Sequence, residues 1–314
     1  MLKFSRAASL AAAFASAASA QTVSFATLPP GSILHAQASV IAKVVQDHSK
    51  LQVRVNGYGG DAPILEAVNT QKADFLLLDV GEVADAYKGQ GDWKGKPMPN
   101  LRSAITLYGS QMAFWVKKDS GINSIAALKG KRVPSEWAQQ TGVLPHTTAL
   151  LNAGGITYND VVKVPEVNVV RAADDFKAGK LDLLFFAVGA PKVAEVAAAV
   201  GGLRLLPADK LPDAERRMKK VRTEYYFSRV SPAPNIAGVD KPSRVQTIDV
   251  VVAVGAHVKN DVVHEFVKAM RENKKALVEG HPNFKSFDER TAGKRQPRLP
   301  LHPGAIKYFR ETSS

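Results

Sequence analysis

The sequence predicts an α/β fold in two lobes, each built on a mixed β-sheet, with a hinge where the chain passes between them. Three observations carry this. Short apolar runs alternate with amphipathic segments at about thirty residues per unit, the spacing of strand–helix repeats. Two of the runs, 75–80 and 181–188, are almost continuously apolar, as expected of strands buried on both faces of a parallel sheet. The rhythm breaks once, at 101–107 and 111–116, which read as two strands with no helix between them, and then resumes.

Taken in order, residues 23–27 read as a strand stopped by Leu28-Pro29-Pro30-Gly31. Leu34, Val40, Ile41, Val44 and Val45 have helical spacing and predict a helix over 33–46. Residues 51–55 alternate as a strand, and Asp61 is the expected N-cap of a helix with Pro63 in its first turn. A helix over 82–87 follows the strand at 75–80, and the Gly- and Pro-rich stretch 92–100 is a surface loop. Beyond the two strands, Ile122, Ile125 and Leu128 predict a short amphipathic helix closed by Gly130. Residues 131–135 then form a strand, 136–142 a polar loop, and a helix with Pro145 in its first turn ends near Asn152. Strands over 161–164, 181–188 and 203–207 alternate with helices over 170–178, 191–200 and 211–220. The Pro-rich stretch 231–235 is extended loop. A long strand returns over 245–254, Asp261 caps a long helix through Val262, Phe266, Met270 and Leu277, and a short helix ends the chain. The expected division is 1–20 as a signal segment, 21–113 with 240–314 as the first lobe, and 114–239 as the second.

The signal segment rests on Lys3 and Arg6, an apolar stretch over 7–18, and Ala18-Ser19-Ala20 before Gln21. It implies export to the periplasm, and no other stretch approaches the ~20 apolar residues of a membrane span. The chain has 314 residues, 45% of them hydrophobic, enough for a sizeable core, and no cysteine. Without cysteine there is no disulfide framework and no thiolate chemistry. The net charge is +13, or +11 once Lys3 and Arg6 are set aside. Its cations are scattered, apart from Arg216-Arg217-Met218-Lys219-Lys220, which reads as a solvated helix face, so the charge suggests mild attraction for anions and no nucleic-acid partner. None of the seven histidines has metal-ligand spacing, and no nucleophile, phosphate-loop or dinucleotide motif is present. The residues thus point to no enzyme, cofactor or metal.

Several segments match a known family. They are Gly57-Tyr58-Gly59-Gly60, Ala73-Asp74-Phe75, Asp85-Ala86-Tyr87-Lys88-Gly89 and Pro97-Met98-Pro99-Asn100-Leu101-Arg102, then Asp119-Ser120-Gly121-Ile122 and Leu128-Lys129-Gly130-Lys131-Arg132-Val133. Leu150-Leu151-Asn152-Ala153-Gly154-Gly155-Ile156 and the ending Pro300-Leu301-His302-Pro303-Gly304-Ala305, with Tyr308 and Arg310-Glu311, complete the set. In these the chain resembles the TAXI class of TRAP-transporter solute receptors, which are periplasmic binding proteins. The resemblance implies a two-lobed receptor that closes on a small, carboxylate-bearing solute, an organic acid or amino acid, and delivers it to a TRAP-type permease. Two ligand loops depart from the pattern. Leu28 to His35 replaces a Gly-rich loop with a Tyr-Tyr pair, and Glu136-Trp137-Ala138-Gln139-Gln140-Thr141-Gly142 replaces a small Gly/Ser/Thr loop. The same scaffold could instead present a ligand to a membrane sensor, or carry an enzyme using Asp79 and Glu136.

Loops at the carboxyl ends of strands face the cleft in such a layout. The candidate ligand-binding residues are therefore Ser32, His35, Tyr58, Gly60, Asp61, Asp79, Trp137, Gln139, Gln140, Thr141, Gly142 and Gly189. Ser32, Gly60, Asp61 and Thr141 also suit helix starts. Asp79 could hold an amine or a bridging cation, or cap the next helix. Trp137 is expected as an aromatic wall for the solute, with a core anchor as the alternative.

Overall fold

The computed structural model describes residues 21–30, 32–234 and 236–312, so the expected signal segment lies outside the described residues. Its frame is an eight-stranded mixed sheet in the order β2-β1-β3-β10-β4-β7, with β8 also paired to β4 and β9 to β10. Strands β1 (Gln21–Thr27), β2 (Leu51–Gly57) and β3 (Phe75–Asp79) are parallel, so each connection needs a crossover; α1 (Ile33–Asp47) and α2 (Asp61–Asn69) supply them. After β3 comes α3 (Val80–Lys88).

Two long antiparallel strands join the halves of the molecule. Strand β4 (Leu101–Lys117) pairs with β10 (Ser243–Gly255) along Leu101–Met112, then with β7 (Leu184–Ala187) and β8 (Leu203–Leu206) along Met112–Lys117. Strand β10 pairs with β3 at Val250–Val254 and with β9 (Tyr226–Val230) at Ser243–Thr247. Strands β5 (Arg132–Ser135) and β6 (Val162–Pro165) form a small parallel sheet of their own. Helices α4 (Val143–Ala153), α5 (Val169–Lys177), α6 (Pro191–Ala199) and α7 (Ala214–Lys219) complete the second half.

Four expectations need correction. The strands read at 101–107 and 111–116 are one strand of 17 residues. Gly109 stands inside the strand because a β-carbon there would collide with the Tyr226 hydroxyl and with Thr247. The helix expected over 122–128 is only a 3₁₀ turn, Ile125–Leu128. The long helix through Leu277 is two, α8 (Asn260–Glu272) and α9 (Lys274–Gly280), parted at Asn273, whose side-chain amide donates to the Ala269 carbonyl at 2.8 Å. Two acidic caps move: Gly60 and Lys259 occupy the cap positions, and Asp61 and Asp261 fall inside the first turns, where the helix dipole also favours them. Strand β9, flanked by Arg222 and the Pro-rich loop, is not evident from the sequence pattern.

One face of the sheet packs on α1, α8 and α10 (Pro303–Glu311), centred on Phe75 stacked on Phe266 at 4.1 Å, with Phe25 edge-on to both. The other face carries a core that runs from α2 and α3 into the second half without interruption, through Trp115, Trp137 and Phe185. No helix among the described residues is long and apolar enough to cross a membrane.

Trp137 belongs to this second core, fully buried and edge-on to Phe185 at 6.2 Å. Trp137→Ala is therefore expected to cost about 3–5 kcal/mol of stability in a urea melt. A variant as stable as the parent would return Trp137 to the role of a wall facing solvent.

Candidate functional site

Charged side chains meet where the strand-end loops of the first half face α4 and the segment after α7. From the first half come Asp61 at the start of α2, Asp79 at the end of β3, and Glu82 and Asp85 on α3. From the second come Gly142 and His146 at the start of α4, and Arg222 and Tyr225 between α7 and β9. The arrangement follows from local chemistry. Asp79 ends an apolar strand in extended conformation and accepts the Glu82 amide at 2.9 Å, which caps α3 and turns Glu82 toward the seam. Gly81 lets the Arg222 stem lie against the first turn of α3, for a β-carbon there would sit 3.0 Å from Arg222 Cδ.

Arg222 is the hub. Its Nε donates to Asp85 Oδ2 at 2.8 Å and its Nη1 lies 3.7 Å from Asp79 Oδ1, with the side chain almost wholly buried. Burial works against its charge, but Tyr225, Asp79, Asp85 and Glu82 together hold the guanidinium firmly protonated. Asp85 also receives Arg298 Nη1 at 2.5 Å, and Arg298 grips Glu224 through Nε and Nη2 at 2.7 and 2.8 Å. On the other side, His146 Nε2 stands 3.7 Å from Asp79 Oδ2 while Nδ1 meets Gln246 Oε1 at 2.9 Å. Gln246 Nε2 donates to the His146 carbonyl, which fixes the amide's orientation, so the Nδ1 proton belongs on the Gln246 side. A continuous polar chain thus links Glu224, Arg298, Asp85, Arg222, Asp79, His146 and Gln246 across the two halves.

The carboxylates divide into two kinds. Burial pushes Asp79 up, but the neighbouring His146 ring and the Arg222 charge outweigh it and hold the group down at about 2. Asp61 is pushed up to about 6, first by burial and then by Asp79, against the pull of Arg222 and His146. Glu82 is raised well above its ordinary value by burial, then by Asp61 and Asp79, with Arg222 opposing and Asp92 adding to the rise. Both raised groups touch Gly142: a β-carbon there would collide with Glu82 Oε2 and meet Asp61 Oδ2 at 3.0 Å. Arg222 Nη1 and the Tyr225 hydroxyl make no well-formed hydrogen bond, although the two groups lie close enough for their charges to interact.

The structure brings Gly60, Asp61, Asp79, Gln139 and Gly142 to this seam; Gly60 lies against the Gln139 carbonyl. Gln140 turns inward, its side-chain oxygen accepting the Val169 amide at 3.2 Å, and Thr141 is exposed. Tyr58 packs on the core beside it, its amide donating to Thr27 at 2.8 Å. Ser32 caps α1 by accepting the His35 amide at 3.1 Å, and Gly189 stands exposed with a φ of 78°. Among the described residues Ser32, His35 and Gly189 make none of the seam's contacts. Trp137 does not line a solvent-facing wall as expected; its ring is in the core, on a backbone with φ 57° after Glu136 at 67°. The residues missed by the sequence reading are Glu82, Asp85, His146, Arg222, Tyr225, Gln246, Glu224 and Arg298. The one available signal was Glu82, three positions after Asp79 at a strand end. The basic run beside Arg222 is only partly a solvated face: Met218 is buried, and Arg217 donates to the Asn152 and Ala153 carbonyls at the end of α4.

Raised carboxyls bind protons in the folded state that the unfolded chain gives up, so their contribution is intact at low pH and is lost as pH rises. For Asp61 the window runs from the ordinary 3.8 to about 6, with Glu82 extending it upward. The variant D61N/E82Q is expected to gain melting temperature relative to the parent as pH rises from about 4 to about 7. Parallel melting curves across that range would contradict the placement of both groups.

The model of the NMT1-like family matches residues 25–312. Among solved structures, the chain is similar to PhnD1 from Prochlorococcus marinus in complex with methylphosphonate, with a TM-score of 0.58 and 12% identity over 93% of this chain and 98% of that one. A TctC solute binding protein from Polaromonas gives 0.54 and 14% over 85% and 90%, and an ancestral arginine-binding protein bound to arginine gives 0.51 and 15% over 84% and 97%. At these identities the likeness concerns the fold: α/β, with a mixed sheet, on the plan of two-lobed periplasmic binding proteins. With residues 25–312 matched, the chain belongs to the NMT1-like family.

Proposed function

We propose that the protein is an extracytoplasmic solute receptor that captures a small solute between two lobes and hands it to a membrane permease. The observation that carries this reading is the seam itself. Strand-end loops of one half and the start of α4 in the other converge on a charged, largely buried cluster, and β4 and the β9–β10 pairing join the halves. A seam with Glu82 pressed against Gly142 leaves no room for a solute there, so uptake requires the halves to part and closure follows binding. Residues 21–113 with 240–314 form one lobe in this reading and 114–239 the other. Two surface cavities, of about 350 and about 180 Å³, lie off the seam, one lined by Arg204, Lys210 and Lys241 and the other by Lys117, Arg132 and Asp182.

The finer assignment follows the residue resemblance: a TAXI-class receptor serving a TRAP-type permease from the periplasm, with no catalysis. Arg222 Nη1 and the Tyr225 hydroxyl, buried without a well-formed hydrogen bond, suit an oxygen acceptor such as a solute carboxylate. The solute-binding and amino-acid-binding proteins among the similar structures support binding over turnover.

The test is a thermal-shift screen of organic acids and amino acids on the chain lacking residues 1–20. A true solute at a hundred times its Kd is expected to stabilise the folded state by about 2.7 kcal/mol. A silent screen would contradict the receptor reading, and turnover of a stabilising solute would replace it with catalysis.

A further inference from the structure

We infer that the larger surface cavity, beside β8 and away from the seam, is a binding site for a small organic phosphate. The inference does not depend on the receptor reading. At about 350 Å³ the cavity falls within the range of about 300–1,000 Å³ usual for small-molecule pockets. Its walls come from β8, from Asn123 and from the run 238–243 that leads into β10.

These walls are pinned. The Leu205 amide donates to the Gly238 carbonyl at 2.8 Å, and the Trp115 indole donates to the Ala237 carbonyl at 3.3 Å. Gly238 stands at φ 75°, and a β-carbon there would lie 2.9 Å from Trp115 Cδ1, so this turn needs glycine. Lys210 Nζ donates to the Asn123 carbonyl at 2.7 Å, and Arg204 Nη1 to the Ile122 carbonyl at 3.4 Å. These contacts fix where the two cations stand and leave most of their N–H donors for a ligand.

The charges of the lining do not balance. Arg204, Lys210 and Lys241 share the cavity with one carboxylate, Asp240, which leaves an excess of two positive charges. Among the described residues none of the three cations has a carboxylate within ion-pair distance. Asp209, beside Lys210 in the chain, is turned instead to Arg244 at 4.0 Å. A phosphate monoester carries about two negative charges near pH 8 and accepts from the arginine fork and the lysine ammoniums together. A single carboxylate would meet only half of the excess. Leu205, Pro207 and Val239 add apolar surface to the lining, with Leu205 and Val239 buried, and this calls for an organic group on the phosphate.

The probe is phenyl phosphate, titrated calorimetrically into the protein at about pH 8 and constant ionic strength. Saturable binding is expected, with affinity about tenfold lower in K210Q/K241Q, whose two substituted side chains are exposed. K241Q alone, expected to lose part of the affinity, serves if the double variant does not fold. No saturable binding to the parent, or equal affinity in parent and variant, would overturn the inference. The phosphate can belong to a free ester or to a lipid headgroup. Retention of the parent on phosphatidylglycerol vesicles, lost in the variant, would assign the headgroup; binding of phenyl phosphate without such retention would assign the free ester.

Discussion

The Arg222 guanidinium, buried between Asp85 and Asp79, is the interaction on which the arrangement of the two halves depends. A buried charge is tolerated only with partners, and removing one partner of such a pair costs about 3–5 kcal/mol because the other is left stranded. The partners here come from α3 and the end of β3, whereas Arg222 follows α7, so satisfying the charge forces the second half down onto the first. Arg298 extends the same logic, holding Asp85 and Glu224 together from the C-terminal segment. The apolar core beneath, continuous from α2 and α3 to Trp137 and Phe185, supplies the surface on which this closure rests.

Closure has an opposing term. In the proposed receptor, docking α4 onto the first half buries Asp61 and Glu82 against Gly142, and burial raises both groups. Arg222 therefore favours contact while Asp61 and Glu82 resist it near neutral pH. A receptor needs such a near-balance, because a solute can shift an equilibrium only by its differential affinity for the two states. If closure were strongly favoured without solute, little would be left for the solute to control.

Much of the fold was legible because it is written in local patterns. The apolar run of β3, the spacing of α1, and Pro145 and Pro191 in the first turns of their helices fixed elements within a residue or two. The failures have physical causes. Gly109 reads as a break, yet it is an in-strand glycine required by the Tyr226 hydroxyl two strands away across β10. At the site, Asp61, Asp79 and Gly142 were visible as strand-end loop residues, but Arg222, Asp85, Tyr225 and Gln246 were not. Arg222 meets Asp85 across 137 residues and Gln246 meets His146 across 100, separations that no periodicity records. Trp137 was misplaced for a related reason: a bulky residue in a polar loop looks solvent-facing, whereas a left-handed backbone at Glu136 and Trp137 turns the ring back into the core.

In the proposed receptor a solute closes two lobes over the Arg222 seam. Solution X-ray scattering of the chain lacking residues 1–20, with and without a stabilising solute at neutral pH, tests this closure. A smaller radius of gyration is expected with solute and a larger one without. The same radius in both conditions, with the solute demonstrably bound, would contradict it.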